Sequence, residues 1–381
     1  MTYDVPFNRP YTTGRELACV QEAIATGEIA SGGPFSRRCQ RLLTDHHGCA
    51  TALLTQSGTD ALEMAAMLSG VGPGDEVIMP SFTFTSTANA FVLRGATPVF
   101  VDVDRATLRI DAALVADALT ARTRAVVPMH YGGVAVDMDP LLDLAKAHGL
   151  LVIEDAAHAL PGTYRGAALG SVGDLGVLSF HETKNVWCGE GGAILVNDET
   201  LVPRAQVLLD KGTDRGRFLR GEVDAYTWRD MGSSFGASDL AAAFLWAQLD
   251  AMSEITAANL KIWNTYHEAF AGLEQEGRVR RPVVAAGCTH NAHIYHLLVT
   301  GPPGRDAFID ALRARGVQAL FHYMPLHLSQ AGRRYGRAHG DLEATVEVSA
   351  RVVRLPRWVG MQDHDVQQVI MAVHEALAIA D

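Results

Sequence analysis

Between residues 50 and 232 the chain repeats one pattern: a short apolar run rich in β-branched residues, a boundary of Gly, Pro or Asp, then a stretch of helical period. TALLTQ leads into SGTDALEMAAMLSG, and DEVIMP into a Thr- and Ala-rich stretch ending at FVLRG. TPVFVDVD, RAVVPMHYG and LLVIEDAAHA follow, with DPLLDLAKAHG as the crossover before the last, and GVLSF and GAILVN close the series. Apolar runs of about four to eight residues, alternating with helical stretches of about 10–15, predict an α/β fold with a mostly parallel central sheet covered by helices on both faces.

After Gly232 the pattern changes. The stretch from Ser238 to Leu273 reads as one nearly uninterrupted helix, with Ser238 as its cap and no proline inside. Beyond it, IYHLLV, RDAFIDALRARG, ALFHYMP and a helical close from Asp363 predict a second, smaller α+β unit. The expected organisation is a large α/β domain over 1–235, including the N-terminal segment, a long bridging helix over 236–275, and a small C-terminal α+β domain over 276–381.

Composition narrows the function. The 381 residues are 48% hydrophobic and 20% charged, ordinary for a globular chain. A net charge of −11 leaves no basic stripe for a phosphate backbone, so no nucleic-acid partner is expected. A small phosphorylated ligand stays open, because backbone N–H groups hold a phosphate without net positive charge. The N-terminal segment has no apolar core of a signal peptide, and no run approaches the roughly 18 apolar residues of a membrane span; a cytoplasmic protein is expected, without membrane partners. The five cysteines (Cys19, Cys39, Cys49, Cys188 and Cys288) are scattered without a C-x-x-C pair and read as reduced thiols. Only four lysines occur: Lys146, Lys184, Lys211 and Lys261.

Three segments carry possible chemistry. Ser57-Gly58-Thr59-Asp60 lies where TALLTQ hands over to a helix, and a Gly-containing turn at a helix N-terminus is either a phosphate cradle or a routine N-cap. Glu154-Asp155-Ala156-Ala157-His158 closes the run LLVI; ligands of open α/β sheets bind beyond strand carboxyl ends, where Asp155 either faces a cationic ligand group or caps the next element. His158 lacks second and third ligands at helical spacing, so no metal is expected. Ser179-Phe180-His181-Glu182-Thr183-Lys184-Asn185 follows GVLSF, and a desolvated lysine there is a candidate nucleophilic amine. Lys146 and Lys261 fall on helices and Lys211 in a charged loop, which leaves Lys184 as the chemical candidate. Taken in order, with the aromatic-rich Ser81-Phe82-Thr83-Phe84 between the first two, these segments suit pyridoxal 5′-phosphate: a phosphate cradle, a stacking ring, an acid for the pyridine nitrogen, and a lysine for the Schiff base.

The motifs FNRPYTTGREL, IASGGPFS, SGTDALEMAA, PSFTFTSTANAF, EDAAHA, SFHETKN, GEGGAILVN and HYMPLHLS resemble, nearly throughout the chain, fold type I pyridoxal phosphate enzymes of the DegT–StrS sugar aminotransferase group. SFHETKN with KGTDRGRFLRGEVDAYTWRDMGSS resembles its dTDP-4-keto-6-deoxyhexose 4-aminotransferase branch. The resemblance implies that Lys184 and Asp155 are catalytic, and that Ser57, Gly58, Thr59, Phe84, His158, Ser179 and Ser234 contact the cofactor, which passes through a pyridoxamine phosphate form. Gly32, Gly33, His181, His322 and His327 would contact the substrate. It further implies a homodimer with active sites at the subunit interface, L-glutamate as donor and a dTDP-linked 4-keto sugar as acceptor. Ser234 departs from the group's usual Asn in the partner-contributed loop and matches the branch, which also has Ser there; Gly236, two residues on, stands where many members have Arg. A 4-ketopentose or 3-keto sugar acceptor, a pyridoxamine-dependent dehydrase and a silent nucleotide-sugar sensor are the alternatives; the dehydrases carry His where Lys184 stands, and a silent sensor would be expected to lack Lys184 or Asp155. The Gly70-x-Gly72-x-Gly74 run leads into a strand, not a helix, and so does not read as a dinucleotide site.

Overall fold

The computed structural model describes residues 3–378. Seven strands form the large sheet: β1 (Thr51–Thr55), β2 (Glu76–Pro80), β3 (Thr97–Val101), β4 (Thr123–Val126), β5 (Leu151–Asp155), β6 (Leu175–Ser179) and β7 (Gly192–Val196). Their order is β1-β7-β6-β5-β4-β2-β3, and the short strand Arg337–Ala338 adds an eighth, parallel to β3. Only β7 runs against its neighbours, pairing antiparallel with both β1 and β6. The carboxyl ends of β1, β2, β5 and β6 therefore share one edge.

Successive residues of each strand feed opposite cores. Leu54, Ile78 and Leu195 pack on one face with helix α2 (Pro34–His47), whose Phe35, Cys39 and Leu43 join them. Leu53, Val77 and Ile194 pack on the other with α3 (Gly58–Leu68) and α4 (Thr85–Val92). This two-sided burial is why the strands read as continuous apolar runs.

The expected single helix over 236–275 is three: Asp239–Asp250, Met252–Ala269 and Ala271–Gln275. The breaks fall at Ala251 (φ −98°, ψ 9°) and Phe270 (φ −97°, ψ 8°). No proline or glycine marks them; packing does. The first piece lies against α1 (Glu16–Thr26) and α2 of the large lobe, while the second lies against the C-terminal helix Asp363–Ala378.

The small lobe has its own core and a three-stranded antiparallel sheet of Val279–Arg280, His296–Val299 and Val352–Arg354. The boundary at 276 is not a clean cut. Val5 is fully buried in the small lobe's core, bridged to Val317, whereas Arg337–Ala338 crosses back onto β3. No helix among the described residues is long and apolar enough to cross a membrane.

Candidate active site

A cavity of about 780 Å³ opens where the strand ends meet the small lobe. Its floor is made by the sheet edge. β1 ends at Thr55, and Ser57 then caps α3 by accepting the Asp60 N–H at 3.0 Å. As the first helical residues, Gly58 and Thr59 have N–H groups without intrahelical acceptors, and both residues line the cavity. Ser179 faces this turn so closely that a Cβ on Gly58 would lie 2.9 Å from the serine Cβ. Behind it, a Cβ on Gly192 would lie 2.4 Å from the Ser57 carbonyl carbon, so the turn seats on β7 only because that strand begins with glycine. Two free N–H groups, a helix N-terminus and a serine hydroxyl around one pocket are the donor set a phosphate monoester requires.

Asp155, 3% exposed, closes β5. Its Oδ2 accepts from the Thr87 hydroxyl at 2.7 Å and its Oδ1 from the Ala157 N–H at 3.2 Å. Thr87 in turn accepts from Thr83 at 3.0 Å. A carboxylate fixed by two donors, with the remaining lone pairs turned to a cavity, suits a protonated ring nitrogen. The adjacent Glu154 points to the opposite face, where His130 and the N–H groups of Gly170, Val172 and Gly173 occupy it; it is a structural acid.

Lys184 reaches the same cavity from the loop after β6. Burial brings its ammonium down from the ordinary 10.5 to about 8; Asp155 opposes that shift and Arg354 adds to it. About a tenth is then the free amine at pH 7, against far less for an ordinary lysine. Phe84 precedes α4 at the cavity wall and is 56% exposed.

The roof belongs to the small lobe. Tyr323 stacks on His322 with ring centroids 3.8 Å apart, and its hydroxyl meets His158 Nε2 at 3.2 Å. The Gly132 N–H donates to His158 Nδ1 at 3.4 Å, which assigns the imidazole proton to Nε2, facing Tyr323. Burial, with the charge of Lys184 behind it, holds His158 well below the usual imidazole range, so the ring is neutral. His322 shares a hydrogen bond with the Tyr131 hydroxyl at 2.7 Å. Asn291 ties roof to floor, donating to the carbonyls of His158 and Leu160 at 2.8 and 2.7 Å.

The structure thus brings Ser57, Gly58, Thr59, Phe84, Asp155, His158, Ser179, His181, Lys184 and His322 around one cavity. It does not bring Gly32, Gly33, Ser234 or His327 there. His327 bonds Ser81 at 2.7 Å, beyond the end of β2. Gly33 starts α2, and a Cβ there would lie 2.4 Å from the carboxyl carbon of the buried Asp239, which caps that helix through Phe35 and Ser36. Ser234 accepts the Gln56 side-chain amide on the outside of the cradle. The Gly32 and Ser234 loops adjoin, since Ser31 lies against Gly236. They form one patch, outside this chain's own cavity.

Sequence reasoning missed Thr87, His293, Tyr323, Arg354 and Arg357. The hydroxyl-rich run Thr83–Thr87 after a strand end was a signal for the first, and two arginines inside the apolar VVRLPRWV were a signal for the last two. Among the described residues no group of three or more His, Cys, Asp or Glu could hold a metal ion.

Known proteins resemble the chain along nearly all its length. It is 34% identical to the spore coat polysaccharide biosynthesis protein SpsC of Bacillus subtilis, over 99% of this chain and 98% of that one. It is 35% identical to the GDP-perosamine synthase of Caulobacter vibrioides, over 97% of each. The crystal structure of DesV from S. venezuelae, in complex with a ketimine intermediate, superposes with a TM-score of 0.91 at 30% identity over 100% of both chains. Residues 10–374 match the DegT/DnrJ/EryC1/StrS aminotransferase family. The fold is that of the type I pyridoxal phosphate aminotransferases, and the chain is a member of the DegT/DnrJ/EryC1/StrS aminotransferase family.

Proposed function

We propose that this enzyme transfers an amino group from L-glutamate to a nucleotide-linked 4-keto sugar, with dTDP-4-keto-6-deoxy-D-glucose as leading acceptor and a dTDP-4-amino-4,6-dideoxyhexose as product. Aminotransferases of the family work with pyridoxal 5′-phosphate. The observation that carries the reading is the meeting of the phosphate cradle, Asp155 and Lys184 around one cavity, where burial pushes the lysine ammonium down from its ordinary value. When bound, the cofactor supplies an electron-poor ring that accepts the electron pair left on a carbon losing its proton.

The chain's own groups do the rest. The N–H groups of Gly58 and Thr59, with the Ser179 hydroxyl, would hold the phosphate. Asp155, fixed by Thr87, would keep a ring nitrogen protonated. Phe84 would offer the ring an aromatic surface. Lys184 Nζ takes the proton from the donor's α-carbon and returns it one position away, and it reverses this movement for the acceptor. The neutral His158, held by Gly132, donates from Nε2 to the Tyr323 hydroxyl and so fixes that hydroxyl at the cavity. The Gly32 and Ser234 patch faces the cavity of a second copy in a homodimer, on this reading, which accounts for its place outside its own.

The test is the near-ultraviolet and visible spectrum of purified protein before and after L-glutamate. A yellow band that gives way to the pyridoxamine form, followed by a new amino sugar in mass spectra when dTDP-4-keto-6-deoxy-D-glucose is added, supports the reading. Because one relative is named for a GDP-linked sugar, the GDP-linked 4-keto sugar belongs in the same screen. A protein that stays colourless with the cofactor supplied refutes the reading.

A further inference from the structure

Arg357 stands apart from the other cations of the cavity. It is 9% exposed and lines the same cavity as Lys184. Its Nη2 donates to Asn185 Oδ1 at 2.9 Å and to the His293 carbonyl at 2.6 Å. Its Nε is buried with no acceptor, and among the described residues Nη1 has none either and no carboxylate comes within ion-pair distance. Arg354 is differently placed: its Nε and Nη2 donate to the Phe321 carbonyl, and its guanidinium lies 4.8 Å over the Phe7 ring. A buried guanidinium with neutral partners and open donors is an incomplete anion site.

The identity of the anion follows from where the guanidinium is anchored. Asn185, one of its two acceptors, is the residue after Lys184. An anion held there lies close to the reacting centre. In an amino acid the carboxylate is attached to the very carbon that loses its proton, whereas in a nucleotide-linked 4-keto sugar the diphosphate is separated from the keto carbon by the sugar ring. Guanidinium also matches carboxylate geometry. We propose that Arg357 binds the α-carboxylate of the amino-acid donor. This rests on the amine-transfer reading above.

The experiment compares wild type with Arg357→Gln. Its first measurement is the concentration of L-glutamate that half-converts the yellow protein, set against that of 4-aminobutyrate, which lacks the α-carboxylate. The second is calorimetric affinity for 2-oxoglutarate and for dTDP. The expected result is an approximately tenfold or greater weakening for L-glutamate and 2-oxoglutarate, with 4-aminobutyrate and dTDP unchanged. A general structural defect would weaken all four alike and overturns the proposal. So does a loss confined to dTDP, which would assign the guanidinium to the diphosphate, and so does wild-type protein that binds no 2-oxoglutarate. If wild type converts with L-glutamate and the variant does so equally well, the carboxylate anchor falls while amine transfer stands. If no amino acid converts wild type, both fall. Should Arg357→Gln fail to fold, Arg357→Lys keeps the charge and removes the fork: a several-fold weakening for L-glutamate and 2-oxoglutarate, with dTDP unchanged, is expected, and unchanged affinity for both overturns the proposal.

Discussion

At the floor of the cavity, ligand-facing groups are backbone N–H groups, short side chains fixed at strand ends and Lys184 on the loop after β6; at the roof they are rings and long side chains, placed there by the packing of a second lobe. Ser57, Gly58, Asp155 and Ser179 owe their positions to sheet register and helix capping. Tyr323, His322 and Arg357 owe theirs to stacking and to hydrogen bonds with residues far away in the chain. The floor is suited to chemistry that is common to many substrates, and the roof to choosing among them. If that division is right, damage to the floor stops the reaction and damage to the roof changes its selectivity.

The largest expected effect is at Lys184. Lys184→Ala lowers turnover by about 10³-fold or more, since removing a group that moves the proton costs transition-state stabilisation directly. The circular dichroism spectrum is expected to remain that of a folded protein. Turnover within tenfold of wild type would break the division at its strongest point.

A second test titrates the floor. The folded state holds the Lys184 proton less tightly than the unfolded chain, about 8 against 10.5. Between those values the unfolded state binds more protons, so the contribution of Lys184 to stability rises with pH across that window and is least favourable below it. The amine's reactivity, read as reductive methylation of Lys184 in cofactor-free protein by mass spectrometry, should have its midpoint near 8. Asp155 raises that value, so Asp155→Asn moves the midpoint to lower pH. Movement to higher pH would show that the two groups do not interact as described.

The smallest effect is expected at the roof. Tyr323→Phe deletes the hydroxyl on His158 but keeps the ring on His322, and should lower kcat/KM only about two- to fivefold, the worth of one neutral hydrogen bond. A loss comparable to that at Lys184 would make the roof a partner in the chemistry.

The same contrast decided what could be read from the amino-acid sequence. Parallel strands place their carboxyl ends on one edge by necessity, so spotting Asp155 and Ser179 at the ends of apolar runs was enough to converge them with Ser57–Thr59 and Lys184. Nothing local announces that Tyr323 will meet His158, or that Arg357 will meet Asn185; those contacts span 165 and 172 residues. The helix breaks at Ala251 and Phe270 were hidden for a related reason. Both residues tolerate helix, and what bends the chain is the need of each segment to bury its face against a different lobe. Gly33 was expected to contact the substrate; the structure places it outside this chain's cavity, in close approach to Asp239.

The two exchanges between the lobes, Val5 in the core of the small one and Arg337–Ala338 on the sheet of the large one, bear on how such an enzyme is remodelled. A chimera that joined residues 1–275 of this protein to the C-terminal part of a relative at one junction near 276 would leave Val5 facing a foreign core and present β3 with a foreign edge strand. A workable hybrid carries four junctions: one after the N-terminal segment that holds Val5, one at the bridging helices, and one on each side of the returning segment. The donated lobe is therefore a set of parts, not a block.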